Sequence, residues 1–561
     1  MGSYLSVVSE RKKLDTRRKI KLAQEKYIKK ILEDTCHMDE QENMNNDKQK
    51  MPDFQEKIRT INPTDYIYPF ENLVFEGGGN KGLAYCGAIK VLEDIGLYSQ
   101  IKRFAGTSAG AMTAALLAVG YNSKEIEEAL SQDLSRIFLD ASFGYLSFLP
   151  NLLTRYGWNP GNRIYKWFGE ALAKKCGGNA DITFLELYKS KEKTELCIVV
   201  TNLSRMVEEY CHVKTTPNMP IRLAVRMSMS VPGMFQAMNY TDNGETNTYV
   251  DGGVLCNYPI HCYDGWWLSM KPGDSFIQRL QPLDEIPELL AKQNRFIYQK
   301  EENKTLGFLL YADSECDLFR YILEKRIDHV DEFPETKLAR SRPEKKQKIE
   351  KNIKPALEKV TEAVHIFFKV LKKNDLDKDG EIDKTELKNV FKDAEFTHEH
   401  INLLFGENCT PEAAFAALVN DREVDKIHYY ELIHFIQSIG ICLQQLFLGY
   451  QRQDITGLYS FCDRLQNTLL LNLKRVFVEP CDLDRTVGIN TGHVGTSDFR
   501  LEPEDRKYVI EQGRKSMESF LKYYATENKL KKIGMRMQKM KRKSHQKWKK
   551  RHAMMTRSCK K

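Results

Sequence analysis

From Asn72 the chain sets out an apolar run, Leu73-Val74-Phe75, closed by Glu76 and three glycines, and then spaces Leu83, Ile89, Leu92 and Ile95 at helical intervals. That pattern predicts a buried strand followed by a helix. A second short strand is expected at 101–106 (IKRFAG), running into an alanine-rich helix over 108–121 with Gly120 near its end. The β-α-β-α order implies parallel strands covered by helices, an α/β sheet whose C-terminal strand ends carry the ligand site. Further strands are expected at 195–202 (ELCIVVTN) and along ETNTYVDGG from 245, with a helix over 221–229 between them. Polar texture brackets this core. Residues 10–33 place Leu14, Ile20, Leu22, Ile28 and Leu32 among many Lys and Arg, a basic helix, and 37–66 read as a linker. From Lys345 to about Gln437 charged helices take over, and a further α/β-like stretch runs to about Thr526.

Composition narrows the class. With 561 residues, 42% apolar and 29% charged, the chain is long enough for a large core and more than one domain. It has no apolar run of the length a membrane span needs, about 18 residues, and its N-terminus is basic and polar where a secretory signal would be apolar. Thirteen scattered cysteines without a C-x-x-C pair suit free thiols in a reducing cytosol. The net charge of +8 is unevenly held: from Thr526 onward there are 15 Lys and Arg against one acid, leaving the rest at about −6. Such a tail is either simply solvated, or binds anionic lipid, nucleic acid or a calmodulin-like protein around Trp548, or serves nuclear import.

Three short motifs carry candidate chemistry. GGGNKG, Gly77 to Gly82, satisfies the dinucleotide pattern G-x-G-x-x-G literally, but the second strand ends in GTSAG with no carboxylate for a ribose, and the P-loop spacing is absent. A different division of labour uses both turns. Gly77, Gly78 and Gly79 let consecutive backbone N–H groups converge on an anion before the next helix. Ser108, in G-x-S-x-G, would stand on a tight strand-to-helix turn that Gly106 and Gly110 keep clear. One loop then supplies an oxyanion hole and the other a nucleophile. None of the 12 histidines lies in a local motif that marks it as the base. Asp251 opens DGG at the end of a strand, and desolvation there would raise its basicity; taken alone, DGG also reads as an ordinary turn.

GGGNKG, GTSAG and DGG, in this order, resemble the patatin-like phospholipase family, whose signatures are G-G-G-x-[KR]-G, G-x-S-x-G and D-G-[GA]. SMSVPGMF (228–235), NYPI (257–260) and DRTVGINTGHVGTSDFRLEPED (484–505) resemble further family segments, so the likeness covers roughly 70–340 and 440–525. The resemblance implies a three-layer α/β/α hydrolase with a mostly parallel sheet and a Ser-Asp dyad. Ser108 would attack an acyl ester and Asp251 receive its proton, with an acyl-enzyme that water resolves. The resemblance implies an oxyanion hole at Gly77, Gly78, Gly79 and Lys81, with the backbone around Gly78 and Gly79 holding the oxyanion and Lys81 at the family's basic position. The dyad chemistry requires no cofactor.

A second signal lies between the two segments. DLDKDGEIDKTE, 375–386, presents Asp375, Asp377, Asp379, the Glu381 carbonyl, Asp383 and Glu386 at positions 1, 3, 5, 7, 9 and 12 of a twelve-residue calcium loop, with Gly380 at the turn. Ile382 would pair with a partner loop. NDREVDKIHYYE, 420–431, is a degenerate candidate: Ile427 and Glu431 are kept, but Arg422 and Val424 replace ligands. An all-α EF-hand pair inserted in the hydrolase is expected, with Ca2+ either regulating or merely stabilising it. The N-terminus, MGSYLS, fits the myristoylation signal with Gly2 as acceptor, and the basic residues that follow supply the second membrane signal that one acyl chain needs.

The expected organisation is therefore an acylated basic segment and linker (1–66), a patatin-like catalytic domain (67–344 and 439–525), an EF-hand pair (345–438) and a basic tail (526–561). The expected protein is a cytoplasmic, peripheral membrane enzyme acting on glycerolipid. A triacylglycerol lipase or transacylase, and a non-catalytic calcium-responsive membrane adaptor, remain the alternatives.

Overall fold

The computed structural model describes residues 60–341 with short gaps, then 362–374, 381–419 with one gap, Lys426–Ile427, 457–528 and a few single positions besides. Gly2 and the basic N-terminal segment, Asp375, Asp377, Asp379, Glu431, and the tail beyond Leu530 lie outside the described residues. The described residues fall into two compact units, one within Asp53–Ala339 and Gln453–Lys561, the other within Arg340–Arg452.

The larger unit is built on one sheet. Its strands are β1 (Asn72–Phe75), β2 (Arg103–Gly106), β3 (Glu195–Asn202), β4 (Val207–Cys211), β5 (Met238–Asp242), β6 (Glu245–Asp251), β7 (Thr305–Tyr311) and β8 (Thr486–Asn490). Hydrogen-bonded neighbours run β8-β7-β1-β2-β3, then β3-β6-β5, with β4 also on β3. From β8 to β3 every pairing is parallel, whereas β4, β6 and β5 join antiparallel. Burial is nearly continuous along β1, β3 and β7, as expected for strands covered on both faces. Alternate residues divide between two cores: Leu73, Phe75, Phe104 and Ile198 face one, while Val74, Ala105, Cys197 and Val199 face the other.

The first core is covered by α1 (Ala84–Asp94), α2 (Ala109–Ala118), α3 (Ile221–Ser228) and the long α5 (Pro503–Glu527). The second lies under the segment from Cys256 to Leu268 and the end of α4 (Leu458–Phe477). α1 and α5 cross at glycines: a Cβ on Gly87 would stand 1.8 Å from the Ile510 carbonyl oxygen, and one on Gly513 would stand 1.8 Å from that of Ala84. No larger residue fits at either point.

The smaller unit packs Phe367, Leu387, Phe396, Phe405 and Phe415 into its own core. Helices Lys384–Val390, His398–Phe405 and Pro411–Leu418 are each capped at the N-terminus by a side chain, from Asp383, Thr397 and Thr410 respectively. Ile382 pairs antiparallel with Ile427, position 8 of the first acidic loop against position 8 of the second. Asp383 accepts the N–H groups of Thr385 and Glu386, and the Glu386 carboxylate, which is buried, accepts the Asp383 N–H at 3.1 Å.

Candidate active site

β2 and β6 reach the site from opposite directions along one edge of β3. β4 occupies the other edge. Gly106 is in register with Ile198 and Asp251 with Val200, so the two strand ends stop two residues of β3 apart, about 7 Å of rise. Thr107 and Ser108 turn out of β2 into that space. The nucleophile position and the aspartate, 143 residues apart in sequence, are thereby set facing one another.

Ser108 has φ 54° and ψ −122°, a conformation side-chain-bearing residues seldom adopt and one that costs about 1–3 kcal/mol. The surroundings hold it there. Its N–H donates to Ser228 Oγ at 2.9 Å, and Ser228 Oγ in turn donates to the Val199 carbonyl at 2.6 Å. Gly106 and Gly110 touch: a Cβ on Gly106 would lie 2.4 Å from the Gly110 carbonyl oxygen, and one on Gly110 would lie 2.3 Å from that of Phe75. α2 begins at Ala109, so the positive end of its dipole points at the Ser108 turn.

Asp251 is buried. Its Oδ1 accepts the Gly253 N–H at 2.7 Å, whereas its Oδ2 accepts no hydrogen bond of ordinary length among the described residues. Desolvation pushes its carboxyl up to about 7, opposed by the Gly253 N–H and the Ser108 hydroxyl. A carboxyl so placed exchanges protons near neutrality, as a general base must. Among the described residues no histidine is hydrogen-bonded to Ser108. His261 meets Tyr210, and His493 meets Asp505.

The glycine loop is more differentiated than its sequence. The Gly77 N–H is already taken, donating to the Asn257 carbonyl at 3.1 Å, so Gly77 does not supply an oxyanion donor. The N–H groups of Gly78 and Gly79 have no acceptor among the described residues, nor does that of Ala109, the residue after Ser108. Lys81 also departs from its expected place. Its buried ammonium forms an ion pair with Glu315 and donates to the Leu310 carbonyl at 3.4 Å, while Glu315 accepts the Thr496 N–H and hydroxyl at 3.2 and 2.9 Å. The lysine anchors the loop to the late segment and is spent on that task.

Several residues that hold the site were given no role by the sequence. The Ser230 carbonyl accepts the Asp251 N–H at 2.9 Å, so a single turn, Ser228-Met229-Ser230, grips both Ser108 and Asp251. Arg226 fixes that turn, donating to Ser230 Oγ at 2.6 Å and to the Pro160 carbonyl at 2.7 Å. Asn257 ties the DGG turn to the glycine loop a second time through Nδ2 to the Gly77 carbonyl at 2.9 Å. Glu76, buried at the end of β1, pairs with Lys474 of α4 at 2.7 Å and accepts the Leu310 N–H at 2.8 Å. SMSVPG and NYPI were visible in the sequence, but nothing in them says which atom is grasped.

Residues 73–262 match the family model described as patatin-like phospholipase. The chain carries a patatin-like domain. YqhO of Bacillus subtilis is 36% identical over 211 residues, covering 35% of this chain and 66% of that protein. The Invertebrate iridescent virus 6 protein named "Probable lipid hydrolase 463L" is 28% identical over 193 residues, covering 34% of this chain and 62% of the relative. The chain thus spans a little under two thirds of the length of these curated relatives. Among solved structures, VipD from Legionella pneumophila aligns over 82% of this chain and 68% of its own at 16% identity, with a TM-score of 0.36. In the patatin-like domain the matched stretch contains Ser108, Asp251 and the whole glycine loop.

Ser228→Ala leaves the Ser108 N–H and the Val199 carbonyl without their shared partner. We expect labelling by a fluorophosphonate to slow by about tenfold or more, as a lost hydrogen bond to a strained nucleophile implies, with Ser228→Thr restoring part of the rate. Equal labelling in all three proteins would show that the turn does not position Ser108.

Proposed function

We propose that the protein is a lipid acyl hydrolase of phospholipase A type that cleaves fatty-acyl esters of membrane glycerolipids. The observation that carries this reading is the buried Asp251 carboxyl with its unengaged Oδ2, set against Ser108 at the meeting of β2 and β6. The Ser108 hydroxyl adds to the ester carbonyl and its proton passes to Asp251. The oxyanion receives the N–H groups of Gly78 and Gly79 at the start of the next helical turn. Collapse expels the lyso-lipid alcohol, which takes the proton from Asp251, and leaves a Ser108 acyl ester. Water, deprotonated by the same carboxylate, then releases the fatty acid.

The reading is tested by fatty-acid release from phosphatidylcholine vesicles and from triacylglycerol emulsions, comparing the parent with Ser108→Ala. Release from phospholipid that needs Ser108 supports it. Release from triacylglycerol alone would favour the neutral-lipid lipase, and transfer to an acceptor lipid the transacylase. A folded protein inert on both, and unlabelled by fluorophosphonate, would leave the adaptor. Because Asp251 must be ionised to act as base, kcat/KM should rise with pH through about 7 and level off above it. A rate flat from pH 5 to 9 would remove Asp251 from that role.

We further propose that the 375–386 loop binds Ca2+ and that the pairing of Ile382 with Ile427 couples it to its degenerate partner. Asp375, Asp377, Asp379, the Glu381 carbonyl, Asp383 and Glu386 would hold the ion through oxygen alone. The cation would draw the loop and its flanking helices together, which suits either regulation or stabilisation. Glu386→Gln is expected to weaken calcium binding measured by calorimetry, and its effect on lipid hydrolysis separates the two roles. We place the enzyme on the cytoplasmic face of membranes, held by acylated Gly2 and its basic neighbours.

A further inference from the structure

One helix near the site presents its apolar side outward. Residues Phe148–Arg155 form two turns with no buried residue. Leu149, Leu153 and Tyr156, spaced i, i+4 and i+7, are 60%, 70% and 66% exposed. That spacing places them in one stripe, while a polar residue, Asn151, turns inward and donates to the Trp158 carbonyl at 2.9 Å. In water this orientation is the reverse of what burial favours.

The stripe is connected to the active site by short, rigid steps. Gly157–Asn159, directly after the helix, pairs in parallel with Gly233–Phe235. The fit is close: a Cβ on Gly157 would lie 2.0 Å from the Phe235 carbonyl oxygen. Three residues before Gly233 is Ser230, whose carbonyl holds the Asp251 N–H. The charges closest to the stripe along the chain are basic, with Asp140 and Glu170 bounding them. Residues 147–169 contain Arg155, Arg163 and Lys166, all exposed, and no acid. Asp140, the adjoining carboxylate, is occupied by the N–H groups of Gly161, Asn162 and Arg163.

We propose that the Leu149-Leu153-Tyr156 stripe docks the protein on an anionic phospholipid surface, the apolar side chains entering the acyl boundary and the flanking cations meeting headgroups. This rests on the proposed function in its choice of a lipid over another apolar partner. The exposed apolar segment at 276–283 has no comparable claim. Ile277 and Leu283 are 81% and 86% exposed there, but Asp284 and Glu285 follow at once, the wrong sign for such a surface.

The test uses full-length protein made without acylation and carrying Ser108→Ala, so that binding is read apart from turnover. Flotation with phosphatidylcholine–phosphatidylserine vesicles in about 0.5 M salt suppresses long-range attraction of the basic tail. Leu149→Ser with Leu153→Ser should weaken binding by about tenfold or more, given the transfer energy of two leucines. Ile277→Ser with Leu283→Ser should leave it unchanged. With Ser108 intact, the first pair should slow vesicle hydrolysis while sparing a soluble short-chain ester. Equal flotation of both pairs and the parent overturns the proposal. So does loss of a dimer, rather than of vesicle binding, by light scattering in the Leu149/Leu153 variant. Binding that behaves as expected in a protein without esterase activity would keep the docking surface and refute the hydrolase.

Discussion

Asp251→Asn is expected to lose about 10²–10⁴-fold in kcat/KM, the usual contribution of a general base, and yet to unfold at a higher temperature than the parent at pH 8. The second half follows from the first. Burial lifts the Asp251 carboxyl to about 7 in the folded protein, so the folded state binds a proton that the unfolded state has released over the interval from about 4 to 7. Stability contributed by this group is therefore lost as pH rises through that interval. Above it the ionised, desolvated carboxylate costs on the order of 4 kcal/mol, at about 1.4 kcal/mol per tenfold change in proton affinity. Asparagine keeps an oxygen for the Gly253 N–H and removes the charge. The thermal midpoints of parent and variant should diverge at pH 8 and converge near pH 4. A variant less stable than the parent at pH 8 would mean that the carboxylate is solvated or paired in solution.

Gly110→Ala should damage both stability and reactivity. Its new methyl would sit 2.3 Å from the Phe75 carbonyl oxygen and 2.6 Å from that of Glu76, and backbone cannot turn aside as a side chain can. Either α2 or the end of β1 must move. α2 starts at the Ser108 turn, and β1 leads into the glycine loop, so both halves of the site shift together. We expect a cost of about 3 kcal/mol or more in urea unfolding and loss of fluorophosphonate labelling even where the protein remains folded. Gly120→Ala is the matched control for a lost glycine: nothing lies near its Cβ, although its φ of +99° adds local strain. Labelling retained in Gly110→Ala would show that the elbow tolerates a wider crossing than its backbone spacing implies.

Much of the fold was legible because the first β-α-β-α unit obeys its own periodicities. Leu73 to Phe75 reads as a strand covered on both faces, and the glycines on either side of Ser108 announce a close turn. The direction of β6 was not legible. Residues 245–251 alternate as a strand should, but alternation is the same in either sense of travel, and only the pairing with Val200–Asn202 reveals that the strand runs back to meet β2. Lys81 and Gly77 went astray for a related reason. A motif names a residue, while the atom it satisfies is settled by neighbours more than 170 positions away, Asn257 for Gly77 and Glu315 for Lys81. Ser228 and Ser230 lay in a segment already noted for its resemblance. Their grip on Ser108 and Asp251 is a matter of one hydroxyl and one carbonyl, which sequence does not orient.

The crossing of α5 over α1 has a consequence for how the protein comes into being. Ser108 and Asp251 are both synthesised well before the helix that clasps α1 through Gly87 and Gly513, which begins at Pro503. Contacts between such distant positions form late and slowly. Until residues 503–527 arrive, the part of α1 that α5 covers is open, and the glycine loop preceding it gains the anchorage of Thr496 through Glu315 and Lys81 only a few residues earlier. Translation itself then delays assembly of the site until α5 has been made. A chain interrupted before α5 would hold every residue of the dyad and lack the helix that covers α1.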